Sequence, residues 1–577
     1  MTAAHQNSVH AATPRDDVHV RFPDGQILSG PRGTTLEHFL RASNQNADAP
    51  VVAALLDNEL AELTRTLDRD VSVTPLTMAD TDGMRIYRRS LSFLLLTAAH
   101  ELLPKVELHI DHAVASGGYY CHVSNRPPLT ESGVNALKKR MLEIVAADEP
   151  ITRQEIPIDD AIHLFKAAGQ EEKVRLLEHR TKPRLVVYSM RDTRNYLHGY
   201  MVPSSGYLRF FDLDLAPEGF VLRYPRRREP TALAPADTPL NLLDRFREYD
   251  KWLEMLDMRS VSDLNEAIES DRIREIALVA EALHEDRIGY VASQIAGRKR
   301  PVGLVLIAGP SASGKTTFSK RLAIQLLAHG VRPYPLAMDD YFLARHLSPR
   351  DEDGELDFES VNTLDLEKLN ADLLSLIDGR EVTLPHYNFK TGLPEEGPTV
   401  KLGAEHVIVL EGIHGLNPLL LPHIPEERIY RIFISALTQI NLDRHNRIST
   451  TDTRLLRRML RDAQHRGYNA MDTITRWESV RRGEERHILP YQNRADTMFN
   501  SSLPHELAVI RPLVEPLLLQ VPPRSQPRVE AKRLLALLNW FHACPIDVVP
   551  DNSILREFIS PPTLLDRVDF ARYAVAR

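Results

Sequence analysis

The sequence predicts a multidomain α/β protein whose C-terminal half is built on a parallel sheet with helices on both faces. Three observations carry that reading. The chain has 577 residues, too many for one hydrophobic core, so three or four domains are expected. From 302 to about 520, short apolar strands alternate with helical patterns, as in parallel βα units. Within that stretch the run Val302–Ala308 (VGLVLIA) leads straight into Gly309-Pro310-Ser311-Ala312-Ser313-Gly314-Lys315-Thr316-Thr317. This is G-x-x-x-x-G-K-[ST] in the strand–loop–helix setting that the motif requires.

Taken in order, residues 1–16 read as a mobile polar tail. Val18–Phe22, the turn Pro23-Asp24-Gly25 and Gln26–Leu28 form a β-hairpin. A helix near Thr35–Ser43 and a strand over Val51–Leu56, with a turn at Asp57-Asn58, complete a small mixed domain over 17–78. Residues 79–230 mix helices (Leu91–Leu103, Val134–Val145) with strands (Arg184–Ser189, Phe220–Tyr224). The Pro- and Arg-rich Pro225–Thr238 ends that region. Residues 231–298 are a helical linker, Leu240–Leu256 and then one long helix over Ser262–Ala296. The apolar spacing of that helix rests on Ile268, Ile273, Ile276, Leu278, Val279, Leu283, Ile288 and Val291. A basic junction, Gly297-Arg298-Lys299-Arg300-Pro301, opens the domain at 299–521. Pro522–Pro527 marks the next boundary, and 522–577 is a C-terminal helical extension.

Net charge is −8 and the pI is near 6.3, which argues against wholesale nucleic-acid binding. Two cysteines, Cys121 and Cys544, are too few for a disulfide framework and suit a reducing compartment. No signal peptide or membrane-length apolar run is found, so a soluble, cytoplasmic protein is expected.

The phosphate-binding loop explains its own composition. Glycines let successive backbone N–H groups face inward at a helix N-terminus, which favours phosphate. Gly309, Ser311, Ser313, Gly314, Lys315, Thr316 and Thr317 are therefore the candidate nucleotide ligands, with Lys315 on the β- and γ-phosphates and Thr316 on Mg²⁺. After the loop, Phe318, Leu322, Ile324, Leu326 and Leu327 give the helix an apolar face.

Three further segments separate kinds of phosphate-loop protein. Tyr334–Phe342 (YPLAMDDYF) is a strand ending in two carboxylates. Asp339 is placed to take a proton from an attacking hydroxyl, orient it, or hold Mg²⁺; Asp340 better suits a helix N-cap. His406–Gly412 (HVIVLEG) is a buried strand with Glu411 at its tip, a second metal-side carboxylate. Glu-Gly in place of Asp-Glu speaks against a motor ATPase, and the lack of N-K-x-D against a GTPase. In Asp452–Asp462, Arg454, Arg457, Arg458 and Arg461 largely share one helical face. They are candidates for a lid clamping phosphates, against the plainer reading of a solvated charged helix.

GPSASGKTT, MDDYF, LPHYNF, VIVLEGI and TDTRLLRRMLRD, in this order over roughly 300–520, resemble the uridine kinase/phosphoribulokinase family. The resemblance implies transfer of the ATP γ-phosphate, with Mg²⁺, to a primary hydroxyl, the 5′-OH if the acceptor is a nucleoside. It implies that Asp339 serves the acceptor hydroxyl, that Glu411 works with Thr316 at the metal, and that the lid arginines neutralise the transferring phosphate. Phe342, Phe358 and Tyr387 match aromatic positions of the nucleoside pocket, and Glu359 stands where an Asp usually touches the sugar. Asn388 and Gly392 depart from the pattern, so pyrimidine specificity is not implied. A sugar or sugar-phosphate kinase, or an ATP-switched RNA-binding regulatory module, remains open, as does self-association.

Residues 17–230 resemble the N-terminal region of threonyl-tRNA synthetase. The Pro23-Asp24-Gly25 hairpin and VVAALLDNEL match its ubiquitin-like β-grasp (TGS) domain; Gly117–Tyr120, Tyr196–Gly206 and Tyr207–Asp214 match its α+β editing domain. The four editing positions hold Arg89, Phe93, Leu197 and Met201 instead of His and Cys, which implies a retained fold without deacylase chemistry. RNA contact by this half is a corollary of the resemblance. His100, His109, His112, Cys121 and His122 read as structural or solvated rather than as a zinc site.

Overall fold

The computed structural model describes residues 15–43, 48–114, 117–235, 252–298, 302–351, 354, 356–438, 440–559, 564–568 and 570. The chain divides into two compact units, one of residues 1–161, 182–238 and 524–529, the other of 162–181, 239–523 and 530–577.

In the first unit, β1 (Asp17–Arg21), β2 (Ile27–Pro31), β3 (Val51–Leu56), β4 (Glu59–Ala61) and β5 (Val71–Thr77) form a sheet of order β2-β1-β5-β3-β4. Only β1 and β5 run parallel. The β3–β4 turn is two residues, Asp57 and Asn58, both left-handed at φ 49° and 67°, which matches the strand twist. The helix Leu36–Ala42 closes over Val18, Val20, Phe22 and Val73.

The 22-residue helix Thr81–Leu102 is the spine of the rest. It packs against helix Glu131–Ala147 and two antiparallel sheets. One has the order β11-β12-β7-β6 and the other β10-β9-β8. Their strands are β6 (Leu108–Val114), β7 (Gly118–Val123), β8 (Thr152–Pro157), β9 (Arg184–Met190), β10 (Thr193–Asn195), β11 (Asp212–Ala216) and β12 (Gly219–Arg223). Val52 and Ala53 of β3 belong to the same buried cluster as Tyr87, Phe93 and Leu95. The two front segments thus share apolar core.

The second unit carries a five-stranded parallel sheet. β13 (Leu304–Ala308), β14 (Arg332–Ala337), β17 (His406–Glu411), β18 (Ile429–Ser435) and β19 (Thr497–Asn500) lie in the order β14-β17-β13-β18-β19. A continuous apolar run is needed because both faces are covered. On β13, Val305 and Ile307 face Ile288, Val291, Phe318 and Leu322 of helices Ile273–Ala296 and Lys315–Ala328. Leu304 and Leu306 face Leu369, Leu373 and Leu376 of helix Leu366–Ile377 on the other side. Each fully buried side chain of this kind stabilises the fold by about 1.5–3 kcal/mol. A separate antiparallel hairpin, β15 (Glu381–Asn388) and β16 (Leu393–Lys401), projects from this layer.

Several expectations need correction. The helix expected over Ser262–Ala296 is two, Val261–Glu269 and Ile273–Ala296, because Asp271 is left-handed at φ 59°. Leu278, expected on its apolar face, is exposed, and so is Ile324. Much of the expected helix at 240–256, most of the 1–16 tail and the junction 299–301 lie outside the described residues.

Candidate nucleotide and phosphoryl-transfer site

At the end of β13 the chain turns through Gly309–Gly314 into helix Lys315–Ala328. Gly309 passes so close to β18 that a Cβ would lie 2.1 Å from the Ile434 carbonyl oxygen. Gly314 is left-handed at φ 83° and presses on Ile554, leaving no room for a side chain. Lys315 is buried and folds back to donate to the Pro310 carbonyl at 3.2 Å. The Ser313 hydroxyl is buried without a hydrogen-bond partner. Thr316 donates its hydroxyl to Glu411 at 2.8 Å. The loop, its lysine and the strand-tip acid therefore converge as the sequence places them.

Thr317 holds something that sequence reading missed. Its N–H and its hydroxyl both donate to Glu557, at 3.1 and 3.0 Å. Glu557 sits on the short helix Arg556–Ile559 of the C-terminal extension. That segment is anchored by fully buried Ile554, Leu555 and Phe558, with Arg457 stacked 5.1 Å from the Phe558 ring centre. The extension thus lays a carboxylate on two donors at the helix N-terminus. No motif announces it, since the contact joins residues 240 apart in sequence.

Two carboxylates of the site are shifted up by their burial. Burial pushes the Glu411 carboxyl up to about 7, with Asp339 adding to the rise and Lys315 and the Thr316 hydroxyl opposing it. Glu359 is also pushed up to about 7 by burial, against the pull of Arg458, Lys315 and Arg454, and one of its oxygens is buried without a hydrogen bond. Thr316, Glu411 and Asp339 make an all-oxygen donor set whose like charges oppose one another. A hard divalent cation such as Mg²⁺ fits that set.

Asp339 lies on the helical turn Met338–Tyr341 just beyond β14. Asp340 caps no helix. It accepts from the His386 ring and the Tyr387 N–H, at 3.0 and 3.3 Å, and so latches hairpin β15–β16 to that turn. Phe342, Tyr387 and Phe389 form an edge-to-face trio with ring centres 5.1–6.3 Å apart. Phe389 was not among the expected aromatics, whereas Phe358 is exposed. Asn388, the departure noted in the sequence, bonds the N–H groups of Lys390 and Thr391 and so shapes the hairpin turn. At Gly392, the other departure, Arg345 packs against the backbone.

The four arginines of helix Thr450–Arg461 do not act alike. Arg454 is buried, donates to the Ser311 carbonyl at 3.0 Å and is paired bidentately with the fully buried Glu484. Glu484 in turn accepts from the Ser311 N–H. Arg458 and Arg461 reach the Ser311 hydroxyl at 3.0 and 3.5 Å and share Asp462. Arg457 points away from that group. It is fully buried, paired with Glu506, and bonded to Ser501, whose hydroxyl props the Ser313 carbonyl at 2.6 Å. Arg457 therefore supports the loop from behind rather than facing a phosphate. A fifth arginine, Arg466, stands 5.3 Å from the Phe389 ring centre. Arg461 and burial pull its pKa down to about 10, while Asp462 and Asp339 oppose that shift.

In the first unit, Arg89 donates to the Tyr200 carbonyl at 2.7 Å and packs on Gly199, while Phe93, Leu197 and Met201 are core residues. His109 and His122 stack across β6–β7 at 4.6 Å, and His122 pairs with Asp111. Among the described residues they form no three-ligand metal group.

Residues 304–507 match the model of the Phosphoribulokinase / Uridine kinase family. The N-terminal region is similar to threonine–tRNA ligases. Those of Burkholderia mallei and Burkholderia lata are 30% and 31% identical over 197 residues, 34% of this chain. The chain spans only 31% of the length of those relatives. Among solved structures, a possible uridine kinase from Bacillus stearothermophilus aligns at 22% identity and TM-score 0.27, over 37% of this chain and 98% of that one. A putative fructose transport system kinase from Silicibacter aligns over the same shares at 19% identity and TM-score 0.27. No helix among the described residues is long and apolar enough to cross a membrane.

Proposed function

We propose that the protein is an ATP- and Mg²⁺-dependent phosphotransferase whose acceptor is the hydroxyl of a small molecule, a nucleoside 5′-OH in the first instance. The observation that carries this reading is the convergence of the glycine loop, Lys315 and the Thr316–Glu411 pair at the end of one buried strand. The loop N–H groups, Ser313 and Lys315 bind the phosphates. Thr316 and Glu411 hold Mg²⁺, which neutralises charge on the transferring group. Asp339 takes the acceptor proton, and Arg458 and Arg461 stabilise the charge that develops on the phosphoryl oxygens. Arg454 and Arg457 keep the loop in shape.

The Phe342–Tyr387–Phe389 trio favours a flat acceptor such as a nucleobase. Arg466 on Phe389, and Arg345 bonded to the Phe389 carbonyl, favour a second reading in which the acceptor is a phosphorylated sugar. The filled positions at Arg89, Phe93, Leu197 and Met201 support a front half without hydrolytic chemistry.

The test is incubation with ATP, Mg²⁺ and a panel of nucleosides and sugar phosphates, followed by mass. A nucleoside monophosphate supports the first acceptor and a sugar bisphosphate the second. ATP binding without transfer to any acceptor, together with salt-sensitive RNA binding, would replace the kinase reading with an RNA-linked switch.

A further inference from the structure

Away from the phosphate loop, but within the second unit, three side chains from distant parts of the sequence meet. They are His179, Glu269 and His542, and their ligand atoms all lie within 4.8 Å of one another. We propose that His179, Glu269 and His542 bind a d-block divalent cation of the Zn²⁺ class.

Two of the three ligand–ligand distances are close to those around a metal ion. Both imidazoles turn their Nδ1 atoms to the same carboxylate oxygen, Glu269 Oε1, at 3.1 Å from His179 and 3.3 Å from His542. A tetrahedral ion with bonds of about 2.0–2.1 Å has ligand–ligand edges of about 3.3–3.4 Å. Two nitrogens and one oxygen select a borderline-soft ion over Mg²⁺ or Ca²⁺, which prefer all-oxygen sets. Three protein ligands leave a fourth position for water, and the exposed Glu269 gives access from solvent (side chain 55% accessible).

The surroundings orient the ligands. The His542 Nε2–H donates, at a long 3.5 Å, to the carbonyl oxygen of His179. With Nε2 so engaged, Nδ1 is the ring nitrogen that faces the Glu269 carboxylate oxygen and is the one that would ligate a cation there. The fully buried Asn265 fixes the backbone on either side of Phe541, donating to the Trp540 carbonyl at 2.9 Å and accepting from the His542 N–H at 2.8 Å. Arg175 ties its helix to Asp263 and Glu266 on the neighbouring one. His179 is the C-cap of helix Glu171–Glu178 and Glu269 the last residue of helix Val261–Glu269. Two helix C-termini, each the negative end of a macrodipole, thus converge where a cation would sit. The ion would fasten three segments that lie far apart in the sequence and already meet through Arg175 and Asn265.

The test uses the full chain, stripped with chelator, in a Glu411→Gln background so that the phosphate-loop acids do not compete. Titration with Co²⁺, a spectroscopic stand-in for Zn²⁺, should give visible d–d absorption of tetrahedral intensity saturating at one equivalent, with a rise in Tm. Glu269→Gln and His542→Gln should each weaken binding about 100-fold or more. His109→Gln and His122→Gln, in the stacked histidine pair of the first unit, should leave it unchanged. Absence of a saturable visible band, or a band unaffected by both Glu269→Gln and His542→Gln, overturns the proposal. Because the readout is a spectrum rather than turnover, failure of the kinase reading leaves it intact.

Discussion

Replacing Glu557 should tighten nucleotide binding. In the free protein its carboxylate takes both donors of Thr317, the N–H and the hydroxyl. Loop donors of this kind cradle the α- and β-phosphates, so ATP must displace the carboxylate before it can bind fully. Hydrogen bonds to a charged acceptor contribute about 1.5–3 kcal/mol, and a negative charge at a helix N-terminus a further 0.3–1 kcal/mol or so. Relief of about 2–3 kcal/mol corresponds to roughly 30- to 150-fold in Kd. Calorimetry with a non-hydrolysable ATP analogue should show that gain for Glu557→Ala and a smaller one for Glu557→Gln, whose amide oxygen still accepts. ADP should share the gain, while adenosine, which carries no phosphate, should not. If the alanine variant binds no tighter, or if adenosine gains as much as ATP, the carboxylate does not compete with phosphate and the reasoning fails.

Four other outcomes are expected. Asp339→Asn should lose about 10²- to 10⁴-fold in kcat while keeping its affinity for ATP, as fits loss of a proton acceptor; normal turnover would assign that proton elsewhere. Glu411 is protonated below about 7 and must ionise to bind metal, so the affinity for Mn²⁺, measured by paramagnetic resonance, should fall about tenfold per pH unit below that value. The same raised carboxyl, with that of Glu359, holds its proton in the native state after the unfolded chain has released it. Both therefore subtract stability as pH rises from about 4.5 to about 7. Arg457→Met should cost about 3–5 kcal/mol in denaturant unfolding because Glu506 is left buried and unpaired, and adding Glu506→Met should restore most of it; a loss under about 1 kcal/mol would return Arg457 to the phosphate side.

What could be read from the sequence was local. The glycine loop, its lysine and the buried strands each announce themselves within a dozen residues, because one backbone requirement dictates each residue type. Asp339 and Glu411 could be placed at the end of the sheet that carries the loop because a strand tip in a parallel sheet has one place to go. The four arginines could not be sorted, since helical spacing gives a face but not the neighbour opposite it. Arg457 faces Ser501 and Glu506, while Arg458 faces Ser311. Glu557, Phe389 and the histidine–glutamate group were invisible for the same reason: each depends on which remote segment folds back. The break at Asp271 was missed because apolar spacing resumes in phase on both sides of one left-handed residue.

The place of β13 also sets the order of events as the chain is made. This strand bonds β17 on one side, Leu304 opposite Ile408, and β18 on the other, Leu304 opposite Ile429. Both partners follow it by roughly a hundred residues or more, and such distant pairings form slowly. The strand that leads into the emerging phosphate loop therefore has no partner until Glu411 has been synthesised, and its second partner is complete only at Ser435. During that interval a bare, apolar strand is exposed, the kind of segment that chaperones shield and that aggregates when they do not. Slowing synthesis between β13 and β18 should lengthen that exposure, whereas a slow stretch after β19 should not.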